Sequence, residues 1–332
     1  MTNLTGNLTG QALTGPGTWN ATGTTIVAPV GSGTGYLDMA NNATLENDGT
    51  LTLGLLGNSV GYGIIDYYSS LSPINGTSFV NASGATVSVV GGGGDIFTSL
   101  FTNAGLINVS AADGFYVNNT TFTNTGAINL QSGLLRFGPV ASTGTITAAS
   151  GTTIDFGGDD IFTTSSIGGT FTTLGSVFIG LNYNITLNTN VTLGQPLTNY
   201  GTIEIGQGKT LSLQQGTSTS AIPTADVPGS YKVDSGATLS LGGDLTPRYA
   251  SPTVIGKSAT ILFTGANDTL ALTSAAITPH YVISGFVSGD VIDLIGITAT
   301  AATPQDSPSG TIPGSALGIT NQGSSVGIFG IM

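Results

Sequence analysis

The chain is nearly devoid of positive charge. Five Lys and Arg stand against 17 Asp and Glu, for a net charge of −12. Nucleic acid is bound through cations that neutralise phosphates, and anionic membrane surfaces attract the same side chains. Arg136, Arg248, Lys209, Lys232 and Lys257 are scattered, so neither partner is expected. Cysteine is absent, which excludes disulfides and thiolate metal sites. His280 is the only histidine, which excludes a histidine cluster around zinc. No apolar run reaches the roughly 18 residues of a membrane-spanning helix. Met1-Thr-Asn-Leu-Thr lacks the basic start and apolar core of a secretory signal. The expectation is a mature chain, or a piece of a longer surface protein, working at a cell surface or outside the cell.

Charged residues make up 7% of the chain, against roughly 25% in ordinary soluble domains. Their place is taken by 52 glycines and by many Thr, Ser and Asn. These rank low in helix propensity and suit short strands broken by tight turns. With 39% hydrophobic residues, the chain can still bury a core.

The text repeats. Phe101-Thr-Asn103-Ala-Gly105-Leu-Ile107-Asn-Val109 recurs as Phe122-Thr-Asn124-Thr-Gly126-Ala-Ile128-Asn-Leu130, an offset of 21 residues. Leu45, Asn47, Gly49, Leu51 and Leu53 fit the frame, as do Leu197, Asn199, Gly201, Ile203 and Ile205. Val140, Ser142, Gly144 and Ile146 make a weaker copy, and Phe79-Val-Asn81-Ala-Ser-Gly84 a looser one with an extra residue. A fixed period of this size is the signature of a solenoid. Apolar residues alternate within each copy, as in strands with one buried face, and glycine breaks the run.

The expected fold is therefore all-β: a right-handed parallel β-helix (β-solenoid) with roughly 21-residue coils and a less regular C-terminal region. Division by the period suggests roughly 15 coils. Leu45, Leu51, Phe101, Ile107, Phe122, Ile128, Leu197 and Ile203 should face inward. So should Asn47, Asn103, Asn124 and Asn199, as a structural asparagine ladder, because buried amides need partners and stacked turns supply them. Residues 1–40 are expected to be an irregular capping segment, with Trp19 covering an end. Residues 41–215 hold the repeats, 216–299 a continued or irregular β region, and 300–332 a low-complexity tail or last strand.

LTNYGTIEIGQGKTLSL and FTNTGAINLQSGLLRF resemble repeats of filamentous-haemagglutinin-like adhesins and autotransporter passengers, over roughly residues 40–215. The resemblance implies a parallel β-helix used for adhesion, matrix building or display. No terminal β-barrel is visible in the sequence. Phe263-Thr-Gly-Ala-Asn-Asp-Thr-Leu270 and Ile283-Ser-Gly-Phe-Val-Ser-Gly-Asp-Val-Ile-Asp-Leu294 resemble text near the ends of repeats-in-toxin proteins. That resemblance implies calcium at Asp268, Asp290 or Asp293; no G-G-x-G-x-D tandem accompanies them. Asp residues in turns are the structural alternative.

Enzymatic constellations are sparse. Glycosidases pair two carboxylates, but the only glutamates, Glu46 and Glu204, lie far apart in the chain. Asp155, Asp159 and Asp160 form the one candidate acidic cluster, with Arg136 nearby in sequence and no histidine motif. Gly91 to Gly94 are not followed by the Lys-Ser/Thr of a phosphate loop and read as a turn. Asn-x-Ser/Thr occurs at Asn3, Asn7, Asn20, Asn42, Asn75, Asn81, Asn108, Asn118, Asn119, Asn184, Asn190 and Asn267. The resulting expectation is a non-catalytic structural or adhesive solenoid: a surface adhesin or a filament or matrix subunit. Self-association through its ends or terminal segments is expected, with a glycan as a further partner. The alternatives are a carbohydrate-active β-helix enzyme and a glycan- or ice-binding module. Thr is not arranged in the regular Thr-x-Thr column of the last.

Overall fold

A computed structural model of the chain describes residues 2–27, 35–54, 62–66, 76–117, 121–157, 163–195, 197–214, 229–242, 259–273, 281–306, 315–321 and 324–331. Asp159, Asp160, His280, Asn75, Asn118 and Asn119 lie outside these residues. Every regular element among the described residues is a strand. The architecture is a parallel β-solenoid built in two units, Met1–Gly175 and Ser176–Met332.

In the first unit one coil consists of strands Gly94–Phe97, Leu100–Asn103 and Leu106–Ser110. The next consists of Phe115–Val117, Thr121–Asn124 and Ala127–Ser132. Each strand pairs in parallel with its counterpart. Phe101 lies between Phe79 and Phe122, and Ile107 between Val87 and Ile128. In-register stacking thus places like on like, which is why the repeat is visible in the sequence. Leu45, Leu51, Phe101, Ile107, Phe122 and Ile128 are all buried, as are Leu197 and Ile203 in the second unit. Phe79, Phe101, Phe122, Phe137, Phe156 and Phe171 form a continuous aromatic stack with centroid spacings from 4.5 to 6.3 Å. Such pairs contribute about 0.5–1.5 kcal/mol beyond their burial.

The coils are unequal. Hydrogen-bonded counterparts are 21 residues apart at Asn103 and Asn124, 18 at Asn124 and Ser142, but 34 at Asn47 and Asn81. The longer interval leaves the core register intact, since Leu45 still faces Phe79 and Asn47 faces Asn81. Dividing the chain by 21 consequently overcounts the coils.

The glycine of the repeat is explained by crowding at one corner. A Cβ on Gly126 would overlap the Gly105 carbonyl, one on Gly144 the Gly126 carbonyl, and one on Gly169 the Gly144 carbonyl. These carbonyls are engaged: Gly105 O accepts from Ala127 N at 2.9 Å and Gly126 O from Thr145 N at 2.8 Å. None of these glycines needs a left-handed φ; each needs room. The Gly91–Gly94 run is different. Gly91 and Gly93 have φ of 68° and 121°, and they turn the chain into Gly94–Phe97.

The described residues of the expected capping segment, 1–40, include regular strands. Gly17–Val27 is a strand whose residues pair with Ala43–Asn47 and Thr50–Leu53, while Thr2–Asn7 pairs on its other side. Trp19 is a member of this ladder, between Thr2 and Leu45. Its alternating apolar positions are interrupted by Asn20 and Gly23, which hides the strand from a periodicity reading.

In the second unit Tyr183–Leu187, Thr202–Ile205, Ser230–Val233, Ala259–Phe263 and Tyr281–Ser284 pair in parallel as one succession. Val191–Leu193, Thr210–Leu213, Thr238–Leu241, Thr269–Leu272 and Val291–Leu294 form another. Among the described residues of 300–332, read as a low-complexity tail or last strand, there are three strands. Ala301–Asp306, Ser315–Asn321 and Ser324–Ile331 form an antiparallel meander. Its last strand pairs in parallel with Tyr281–Ser284, through Val282 with Gly330 and Ile283 with Ile331.

The corner makes a direct demand on sequence. Gly126→Ala should destabilise the protein by about 1–3 kcal/mol, the usual cost of overpacking. Thr125→Ala at the neighbouring exposed position should cost far less. Denaturant melts of the two variants compare them, and equal midpoints would refute the crowded corner.

Candidate functional site

Alternation along Leu100–Asn103 and its stacked counterparts turns Phe101 and Asn103 inward together. The amides then meet their own kind in the next coil. Asn47 Nδ2 donates to Asn81 Oδ1 at 2.8 Å, Asn81 Nδ2 to Asn103 Oδ1 at 2.7 Å, and Asn103 Nδ2 to Asn124 Oδ1 at 2.7 Å. Asn124 Nδ2 donates to Ser142 Oγ at 3.0 Å, where the weaker copy of the repeat carries serine. Second protons go to backbone carbonyls, from Asn81 to Leu106 O and from Asn103 to Ala127 O. All four amides are fully buried. Asn81, in the looser copy with an extra residue, is a full member, because the added length falls in the turn between Ser78–Asn81 and Thr86–Val89.

Asn199 does not belong to this column. It shares the local turn, accepting from Gly201 N at 3.0 Å much as Asn47 accepts from Gly49 N at 3.3 Å. The following coil, however, brings Gly229 and Ser230 against it, and Asn199 Nδ2 donates to Ser230 O at 3.4 Å. The Asn199 amide faces the hydroxyl of buried Tyr231 without a hydrogen bond of ordinary geometry. Burial pushes the Tyr231 phenol up.

The three aspartates implied for calcium are not gathered into one ligand set. Asp268 is fully buried; its Oδ1 accepts from Gly236 N at 3.0 Å and its Oδ2 from Gly265 N at 3.2 Å. Asp290 Oδ1 accepts from Asp268 N at 3.0 Å and Oδ2 from Val287 N at 2.7 Å. All four oxygens therefore already tie turns together. Asp293 lies exposed on Val291–Leu294, opposite Ala271. Among the described residues no three His, Cys, Asp or Glu side chains are placed to share a metal ion.

The residues weighed for catalysis are also dispersed. Glu46 is on Ala43–Asn47 of the first unit. Glu204, in the second, lies 4.0 Å from Lys232, its partner in register. Asp155 is engaged by Arg136, whose Nε donates to Oδ2 at 2.8 Å. Arg136 in turn lies over the Tyr116 ring at 5.4 Å from its centroid. Tyr116, Arg136 and Asp155 are successive residues of one lateral row, reached by offsets too irregular for the 21-residue frame to reveal.

No helix among the described residues is long and apolar enough to cross a membrane. The fold defines a parallel β-solenoid. Comparison of the chain with protein-family models, curated proteins and solved structures gave no match.

Two predictions follow from these polar groups. Asn103→Ala leaves Asn81 without an acceptor and Asn124 without a donor in a buried column. It should destabilise by about 1–3 kcal/mol, which equilibrium unfolding measures; an unchanged midpoint would put the amides in water.

The second concerns acid. Burial raises the carboxyls of Asp38, Asp95, Asp155 and Asp268 above their ordinary range. Arg136 opposes the rise at Asp155; at Asp268 the Gly265 and Gly236 amides oppose it while Asp290 and Asp234 add to it. A raised acid binds its proton more tightly when folded, so its contribution to stability is greatest below about pH 3.9, the unfolded value. That contribution is lost as pH rises through each folded-state value. The melting temperature should hold or rise on going from pH 7 to pH 4. A steady fall over that range would contradict the assignment.

Proposed function

We propose that the protein is a non-catalytic structural and adhesive β-solenoid of a cell surface or extracellular matrix. The observation that carries this reading is the amide column. The buried amides at its centre are satisfied by neighbouring coils, so the interior is devoted to stacking and the outward faces are left for contact. Asp155, the one described member of the acidic cluster, is paired with Arg136. That arrangement suits a fixed polar surface better than a free acid or base, which must exchange protons with substrate.

Self-association belongs to the same reading. Val287, Val291 and Ile295 are exposed by 48, 47 and 46% around Val291–Leu294. Exposed apolar residues favour burial against another surface when they share a patch. Low charge also leaves little long-range repulsion between copies.

Incubation with pectin, polygalacturonate, alginate and xylan, in the presence of calcium, should yield no new reducing ends or unsaturated products. Turnover that disappears in a folded Asp155→Asn variant would instead make the protein a carbohydrate-active enzyme. Electron microscopy and light scattering at high protein concentration should show assemblies that persist in high salt. A monodisperse monomer would remove the filament role.

A further inference from the structure

One outward row of the first unit combines aromatic rings, carboxylates and a guanidinium. Strand register places Tyr36 beside Gly63, Gly63 beside Asp95, Asp95 beside Tyr116, Tyr116 beside Arg136 and Arg136 beside Asp155. The flanking residues Leu37, Ile64, Ile96, Phe115, Leu135 and Ile154 are buried. Period-two alternation therefore sends the row to the other face. Six strands at about 4.8 Å give a row of about 24 Å.

We propose that this row is a binding site for a linear neutral polysaccharide, which would be the adhesive contact of the reading above. A pyranose unit is close in length to one strand spacing, so successive sugars meet successive residues of the row. Tyr36 and Tyr116 are half-exposed on this row, and aromatic rings pack against the apolar C–H faces of sugars. The Asp95 carboxylate accepts hydroxyl donors. Arg136 uses Nε on Asp155 and stays 37% exposed, with its terminal nitrogens as further donors. Its guanidinium lies over the Tyr116 ring, 5.4 Å from the centroid. Asp155 is only 6% exposed, and its Oδ1 has no hydrogen-bond partner in the protein. That oxygen is shut off from the surface, so Asp155 holds Arg136 in place through Oδ2 rather than meeting a sugar itself.

Charge selects the class of polymer. The protein carries −12 overall, and the row holds two carboxylates against one guanidinium. Uronate and sulfated polymers are repelled, whereas neutral hexose and pentose chains are not.

Affinity electrophoresis of the full chain in gels containing xyloglucan, glucomannan, mixed-linkage β-glucan or polygalacturonate tests this. At least one neutral polymer should retard the protein, and polygalacturonate should not. Tyr36→Ala, Asp95→Asn and Tyr116→Ala should each weaken retardation about tenfold, the equivalent of one aromatic or charged contact. Glu204→Gln, in the second unit, should leave it unchanged. Circular dichroism and melting confirm that each variant is folded; Tyr36→Ala and Asp95→Asn leave the Arg136–Asp155 pair in place. Absence of retardation by all neutral polymers overturns the proposal. So do equal retardation by polygalacturonate and row variants that behave as wild type. If the row fails but assemblies form without turnover, the structural solenoid stands and only its glycan contact falls.

Discussion

Coils stacked at one strand spacing bring each residue against its own counterpart, and that proximity governs the structure. At the Asn-x-Gly corner the backbones approach so closely that the carbonyl of one glycine occupies the place where the next would carry a side chain. The same closeness brings the amides of Asn81, Asn103 and Asn124 within hydrogen-bond reach and sets the rings of Phe101 and Phe122 4.5 Å apart. Glycine, asparagine and phenylalanine in the repeat are three responses to one constraint: no bulk, mutual donors and acceptors, and flat apolar surface.

The columns also divide the labour between inside and outside. Inside, a buried amide that lost its partner would cost more than a typical hydrogen bond adds, so the asparagines discriminate against any shift of register. A slip of one residue would also turn every phenylalanine outward. Outside, partners are looser. Asn129 Nδ2 donates to Asn108 Oδ1 at 3.2 Å, and Thr147 Oγ1 to Asn129 Oδ1 at 2.7 Å, on a half-buried face. Such ladders support the coil without demanding identity at every position, which is why threonine replaces asparagine there.

Legibility in the sequence follows from the same division. The column through Phe101 and Asn103 was readable because like lies on like at a nearly constant interval. Gly17–Val27 was not, since its apolar positions are broken by Asn20 and Gly23. Nor was the antiparallel meander of Ala301–Asp306, Ser315–Asn321 and Ser324–Ile331, whose Ala, Ser and Gly carry weak strand preference and whose pairing is tertiary. Asn199 shows the converse error. Its local Asn-x-Gly turn is genuine, but a column depends on the next coil, and there Gly229 and Ser230 arrive instead of an amide. The row from Tyr36 to Asp155 was invisible for a further reason: its members differ chemically, so no repetition marks them.

The burial of Asn81 also bears on how the chain is made. Asn81-Ala-Ser83 is an acceptor sequence for N-linked sugar, yet its amide donates to both Asn103 Oδ1 and Leu106 O and has no contact with solvent. Once the coils have closed, no transferase reaches it. A sugar attached to the nascent chain would occupy the space of two hydrogen bonds in the middle of the column and hold neighbouring coils apart. Folding and modification at this residue are mutually exclusive, so a host that glycosylates before folding would yield a mixture, with only the unmodified fraction able to complete the stack.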